Sequence, residues 1–200
     1  MTYQLFSIPI AVSARHVHLT EEHIATLFGA DVTLTFDFNL SQPGQFAATE
    51  RVSLKGPKGQ INEVRVLGPA RANSQVEISK TDSFLLGVAP PIRQSGDIEN
   101  SEAITIVGPC GEVSLTQGLI IAKAHIHMHD DEATQFQVSD GDLVDVIVES
   151  ERPITFHQVV IRVSPHFKLE MHIDTDEGNA SNLSRGYGVI HKLERGELYG

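Results

Sequence analysis

The sequence predicts a mainly β protein built from two related units, each a small β-barrel or sandwich capped by short α-helices. Three observations predict it. Short stretches of alternating or continuous apolar character recur, among them Val52-Ser53-Leu54, Glu63 to Leu67, Ile104 to Val107 and Leu143 to Val148. They are rich in β-branched residues and bounded by Gly, Pro, Asp and Asn. Helical signals are few. And one local design occurs twice: His16-Val17-His18-Leu19 and His125-Ile126-His127-Met128 each run into an acidic helix start, with Leu27 and Phe136 in matching apolar places.

The elements follow in order. Residues Met1 to Phe6 carry neither a basic region nor a long apolar run, so no secretory signal is expected. The first His-x-His stretch reads as extended. Thr20 is a candidate N-cap for a helix over 21–28, whose Glu21 and Glu22 suit the positive end of the helix dipole and which Gly29 ends. The strands that follow share an apolar-x-apolar-x-Gly-Pro pattern at Val52 to Pro57, Val64 to Pro69 and Ile104 to Pro109, which generic strand-ending turns would also produce. The second His-x-His stretch leads into a helix over 130–136. The segment 181–200 is Gly-rich and charged and reads as partly loose. No low-complexity segment or flexible linker interrupts the chain.

Composition narrows the function. The chain has 200 residues, enough for one large or two small domains without disulfide staples. Its one cysteine, Cys110, excludes an intrachain disulfide, fits a reducing compartment, and reads as a small buried residue. Acidic residues number 26 against 15 basic ones, a net charge of −11. That argues against a general nucleic-acid or membrane-surface binder while leaving room for a local cationic pocket. No apolar run approaches the length of a transmembrane helix.

Ten histidines in a chain without tryptophan are the unusual feature. In a strand, residues i and i+2 share a face, so His16 with His18, and His125 with His127, can each converge on a metal. Zinc takes three or four such ligands, and a catalytic zinc keeps one position open. One such pair alone is better explained as polar residues on the wet face of an edge strand; two in matched contexts point to two metal sites or one shared site. His172, between apolar neighbours in Leu169 to Asp174, supplies a third ligand. Glu77, a charge within Gln75-Val76-Glu77-Ile78-Ser79, either faces solvent or meets a partner such as a metal. His23, His129, His157, His166 and His191 read as surface or packing residues. Arg71, at a strand end after Leu67-Gly68-Pro69-Ala70, has a fork suited to phosphate or carboxylate. Arg15, on the opposite face from the first histidine pair, and Arg65 otherwise read as surface charges. No P-loop, GxGxxG, Ser-His-Asp or Cys-x-x-Cys signature appears.

Six segments taken together resemble a known family. They are Ser13 to Leu19, Leu40 to Ala47, Val66 to Arg71, Gln75 to Ser79, Ala124 to Met128 and Glu170 to Glu177, spanning about Ile8 to Asn179. In this order they are similar to the PduL-type phosphate propanoyltransferases (phosphotransacylases). The resemblance implies reversible conversion of acyl-CoA and phosphate to acyl phosphate and coenzyme A. It implies two small β-barrels with an active site between them, one formed by 1–46 with 120–200, the other by 47–119. It implies two divalent metals, normally zinc: His16, His18 and Glu77 match the ligands of one, and His125, His127 and His172 those of the other. Arg71 matches the phosphate-binding arginine, and Ser13, Arg65, Leu67 and Asn179 fall where coenzyme A contacts are expected. Direct transfer in a ternary complex is expected, since no activated serine or cysteine is evident. Only fifteen residues precede His16, too few for the helical extension of microcompartment-targeted members, so a cytoplasmic enzyme is expected, with no nucleic-acid or membrane partner and compatible with a homo-oligomer. The competing readings are a zinc-dependent hydrolase on a barrel scaffold and a non-enzymatic metal-binding module.

Overall fold

The structure is a computed structural model that describes residues 7–191. In chain order the first elements are β1 (Ser7–Ser13), β2 (His16–His18), α1 (Glu21–Phe28), β3 (Phe36–Asn39), β4 (Phe46–Lys55), β5 (Gln60–Gly68), β6 (Gln75–Glu77), α2 (Lys80–Leu86), β7 (Ile92–Arg93), β8 (Glu102–Val107) and β9 (Glu112–Ala122). Then come β10 (His125–Met128), α3 (Asp130–Phe136), β11 (Leu143–Val148), β12 (Ile154–Val163), β13 (Glu170–Asp174), α4 (Thr175–Ala180) and β14 (Arg185–His191).

The chain divides into two units, Ala14–Ala122 and the remainder, in which β1 joins the elements from Lys123 onward. Residues 14–46, expected with the outer unit, belong to the middle one. The reason is pairing: β2 lies between β5 and β6, and β3 and β4 continue the same sheet.

In the middle unit six strands close a ring in the order β4-β5-β2-β6-β9-β8, with β8 returning to β4. The β5–β2 and β6–β9 pairs are parallel and the rest antiparallel. The other unit closes as β11-β12-β10-β13-β1-β14, with parallel pairs at β12–β10 and β13–β1. Strand for strand these are the same barrel. The counterpart of β9 is β1, which comes before the rest of its own barrel in the chain, so the second barrel is a circular permutant of the first. The duplication expected from the His-x-His motifs thus extends to the whole pairing scheme.

Each barrel is filled by one alternating face of its strands. Val17, Val52, Leu54, Val64, Val66, Val76, Ile104 and Ile106 fill one core; Ile8, Ile10, Ile126, Val144, Val146, Val159, Ile161, Met171 and Ile173 fill the other. Burial of each such side chain contributes roughly 1.5–3 kcal/mol.

The helices at 21–28 and 130–136 form as expected, and Thr20 Oγ1 accepts the His23 N–H at 3.1 Å. Two further helices, α2 and α4, were not anticipated. Each is six or seven residues long and opens on a reciprocal cap, Ser79 with Asp82 and Asp174 with Glu177. His129, read as a surface residue, is the N-cap of α3, where Glu132 accepts its N–H at 2.9 Å. Cys110 is exposed rather than buried: it sits in a hairpin turn and donates its Sγ–H to Phe28 O. Within the stretch read as loose, Arg185–His191 is a barrel strand, while 192–200, like Met1 to Phe6, lies outside the described residues. No helix among the described residues is long and apolar enough to cross a membrane.

Candidate active site

β2 is three residues long and all three are buried. Val17 points into the barrel core, which turns His16 and His18 to the opposite face. The antiparallel partner β6 has the same alternation: Val76 enters the core, and Gln75 and Glu77 lie on the histidine face. Register sets Glu77 directly opposite His16. The result is a buried cluster, with His16, His18 and Glu77 at 7 %, 2 % and 8 % exposure.

The ligand atoms of these three residues all lie within 4.8 Å of one another, and they are the one such group of His, Cys, Asp and Glu among the described residues. His16 Nε2 stands 3.4 Å from Glu77 Oε2. Two donors bound to one tetrahedral zinc at 2.0–2.2 Å are about 3.4 Å apart, so this separation fits shared coordination. His16 donates from Nδ1 to Ala14 O at 2.8 Å, which fixes the tautomer and leaves Nε2 as the lone-pair donor. His18 Nδ1 is buried without a hydrogen-bond partner among the described residues. An orphaned imidazole nitrogen beside a buried carboxylate is what a metal would satisfy.

The electrostatics of His18 agree, while His16 and Glu77 form an ion pair in which a metal would take the place of the His16 Nε2 proton. Burial, then the neighbouring His16 and Arg71 charges, hold His18 well below its ordinary pKa, so the ring is a neutral donor. Burial opposes the charges of Glu77 and His16, but their mutual attraction wins: Glu77 falls well below the usual carboxylate range, and His16 is raised.

Behind Glu77 lies a support that sequence reading missed. Gln75 is 2 % exposed and donates from Nε2 to Glu77 Oε1 at 2.6 Å, leaving Oε2 toward His16. Gln75 is held in turn by Ser95 Oγ at 3.0 Å and by the Gly96 N–H at 2.8 Å. Its position two residues before Glu77, on the same strand face, was the available signal. Arg71, Ala72, Asn73, Gln75, Gly96 and Ile98 line a cleft of about 180 Å³. The Arg71 charge reaches both histidines, adding to the lowering of His18 and offsetting part of the rise of His16. The proposed phosphate-binding arginine, the carboxylate support and the histidine cluster therefore share one neighbourhood.

The second set repeats the construction. His125 Nδ1 donates to Lys123 O at 2.8 Å, and His172 lies directly opposite His125 across β10–β13, as Glu77 lies opposite His16. The rings of His125, His127 and His172 have centroids 4.7, 4.9 and 5.3 Å apart, and Phe167 stacks on His127 at 4.1 Å. Glu170, the counterpart of Gln75, places Oε2 3.1 Å from His172 Nε2 and was also missed. These three histidines are gathered on one face, but their ligand atoms do not all come within 4.8 Å of one another.

The remaining candidates lie on separate elements. Ser13 ends β1, where it registers with Asp174, and Asn179 is exposed on α4. Arg65 is committed to Asp37 Oδ2 at 2.6 Å and Ala48 O at 2.8 Å, with its guanidinium 5.0 Å from the Phe38 ring. Leu67 is nearly buried opposite His18.

Residues 9–184 match the family model described as phosphate propanoyltransferase. The chain belongs to the phosphate propanoyltransferase family. It is 59 % identical over 194 residues to the phosphate propanoyltransferase of Priestia megaterium, covering 96 % of this chain and 89 % of that protein. The Thermotoga maritima protein of the same name is 53 % identical, covering 92 % and 90 %, and that of Clostridioides difficile 52 %, covering 90 % and 86 %. The resemblance read from six motifs is borne out across nearly the whole chain, and with it the reading of the protein as an acyltransferase enzyme.

Proposed function

We propose that this enzyme interconverts acyl-CoA and phosphate with acyl phosphate and coenzyme A, by direct transfer between the two bound substrates and with two divalent metal sites. The observation that carries the reading is the convergence of His16, His18 and Glu77 beside the Arg71 cleft. The first site would be held by those three residues and the second by His125, His127 and His172; nitrogen-rich donor sets of this kind suit zinc. A divalent ion bound there supplies Lewis acidity, favouring the thiolate form of the coenzyme A sulfur and polarising acyl and phosphate oxygens.

The chain's own groups do the rest. The Arg71 fork binds phosphate oxygens bidentately and offsets charge as the transition state forms. A phosphate oxygen attacks the thioester carbonyl carbon, the new C–O bond forms, the C–S bond breaks, and coenzyme A leaves as thiolate. Glu77 sets a negative charge against the first ion, and Gln75 holds that carboxylate in place. The Nδ1–H donations of His16 and His125 to backbone carbonyls keep Nε2 of each ring available. Ser13, Arg65, Leu67 and Asn179 are assigned to coenzyme A contacts; Arg65 would then exchange or share its Asp37 partner with a ligand phosphate.

The test is phosphate-dependent release of coenzyme A thiol from acetyl-, propanoyl- and butanoyl-CoA, with acyl phosphate identified as the product. A chelator should abolish release and zinc restore it. Free acid in place of acyl phosphate would indicate a hydrolase, and full activity in metal-free protein would overturn the metal reading.

A further inference from the structure

Arg15 directly precedes His16 and looks, from sequence, like a surface charge. Its side chain is partly exposed, but its guanidinium fork grips Asp82: Nε lies 2.9 Å from Oδ2 and Nη2 lies 2.8 Å from Oδ1. Asp82 is 1 % exposed. It is also the third residue of α2, where its Oδ2 accepts the Ser79 N–H at 3.3 Å while Ser79 Oγ accepts the Asp82 N–H at 3.3 Å. Ser79 follows Glu77 by two residues, and Glu77 faces His16 across the β2–β6 ladder. A closed circuit results, running from His16 through Arg15 and Asp82 to Ser79 and Glu77 and back across the ladder.

Such a tie matters because β2 and β6 are three residues each. Few ladder hydrogen bonds fix either strand end, yet the ligand atoms at those ends must stay within a few tenths of an ångström of coordination distance. The other barrel serves as an internal comparison. Asp174 and Glu177 form the same reciprocal cap, at 2.9 and 2.8 Å, two residues beyond His172. The residue before His125 is Ala124, so the fork has no counterpart there.

We propose that the Arg15–Asp82 pair is a positioning clasp for the first metal centre, holding the His16 and Glu77 strand ends at coordination distance. This rests on the metal reading above. In this role Arg15 acts through Asp82 and the helix cap on the spacing of the ligands.

The test uses the full chain in a His125→Ala background, so that one site dominates the signal. Zinc dissociation constants are measured by chelator competition, and Co²⁺ replaces zinc for visible absorption. Arg15→Gln should weaken zinc binding about 10- to 100-fold, the usual range for a group that orients a ligand, and should alter the Co²⁺ bands. Arg15→Lys should restore little, because an ammonium cannot reproduce the fork. Melting of the zinc-free proteins is followed in parallel. If Arg15→Gln fails to fold because Asp82 is left buried and unpaired, Arg15→Gln/Asp82→Asn removes that charge, keeps an oxygen for the Ser79 N–H, and should show the same loss of affinity. Folded variants with wild-type zinc affinity and Co²⁺ spectra would overturn the clasp and leave an ion pair that serves stability alone. Zinc binding that His18→Ala leaves unchanged would overturn the metal reading itself, and the clasp with it.

Discussion

Glu77 is the residue whose role a conservative change tests most directly. A solvent-facing carboxylate replaced by its amide shifts stability by no more than about 0.5 kcal/mol. At a buried position 3.4 Å from His16 Nε2 the change removes the charge that complements an ion. Glu77→Gln should lose metal from the first site and most transfer activity, with the His125 site still occupied; metal analysis and turnover together check this. Arg71→Ala should lower efficiency toward phosphate by roughly thirtyfold to a thousandfold, on the order of 2–4 kcal/mol, with metal content unchanged, and steady-state kinetics with varied phosphate reads it. Glu177 carries a pH signature. Burial, then the Asp174 and Asp176 charges, push its pKa up to about 7, against the pull of the Asp174 N–H. Between about pH 4.5 and 7 the folded state keeps a proton that the unfolded chain releases. The associated stability is therefore full below pH 4.5 and is lost as pH rises through 7, by on the order of 3 kcal/mol. Glu177→Gln preserves the capping box and should flatten this part of the profile, making the variant the more stable at pH 8; urea unfolding at pH 5 and pH 8 tests it. At this scale the ligand-type residues were legible, because His-x-His spacing and a charge among apolar neighbours follow from strand geometry. Gln75 and the Arg15–Asp82 pair were not, because their roles depend on which strands and helices lie side by side.

The Gly-Pro recurrence acquires a physical account at the level of elements. In the β4–β5 and β8–β9 hairpins it is a Gly-Pro-x-Gly turn, closed by Gly56 N–H to Gly59 O and by Gly108 N–H to Gly111 O, both at 2.9 Å. The third residue of each turn donates its N–H to a carbonyl at the end of a helix: Lys58 to Leu86 of α2 and Cys110 to Leu27 of α1, both at 3.0 Å. The turns thus satisfy helix C-terminal carbonyls. A Cβ at Gly56 or Gly108 would run into those same carbonyls. Gly56→Ala or Gly108→Ala should therefore cost about 1–3 kcal/mol, with little effect on activity in the fraction that remains folded; thermal unfolding checks both. The repetition of these turns was visible in sequence, but their use as helix seats was not, since it requires the helices to be placed. The capping boxes that start α2 and α4 were readable in Ser79-x-x-Asp82 and Asp174-x-x-Glu177, yet the segments behind them are too short for a helical period to register.

For the whole molecule, the predominance of strands and the existence of two related units were legible, because alternation and a repeated motif survive in local sequence. The boundary was not. Residues 14–46 sit with the middle barrel because a three-residue strand pairs with two partners about fifty and sixty residues away, and no local pattern records such a choice. The circular permutation was hidden for the same reason: β1 resembles any other short strand until its neighbours β13 and β14 are known.

That permutation bears on how the protein is made. Synthesis delivers β1 ahead of the rest of its barrel, and the strands on either side of it arrive some 160 or more residues later. At ~5–20 residues per second, the wait is roughly ten to thirty seconds. The middle barrel has all six of its strands once Ala122 has left the ribosome, and can close while β1 is still without neighbours. Through that interval Ile8 and Ile10, destined to be fully buried, and both hydrogen-bonding edges of β1 stand open to any other nascent chain or to a chaperone. The enzyme's two barrels, alike when finished, thus carry unequal hazards during their assembly, and the hazard falls on the seven residues from Ser7 to Ser13.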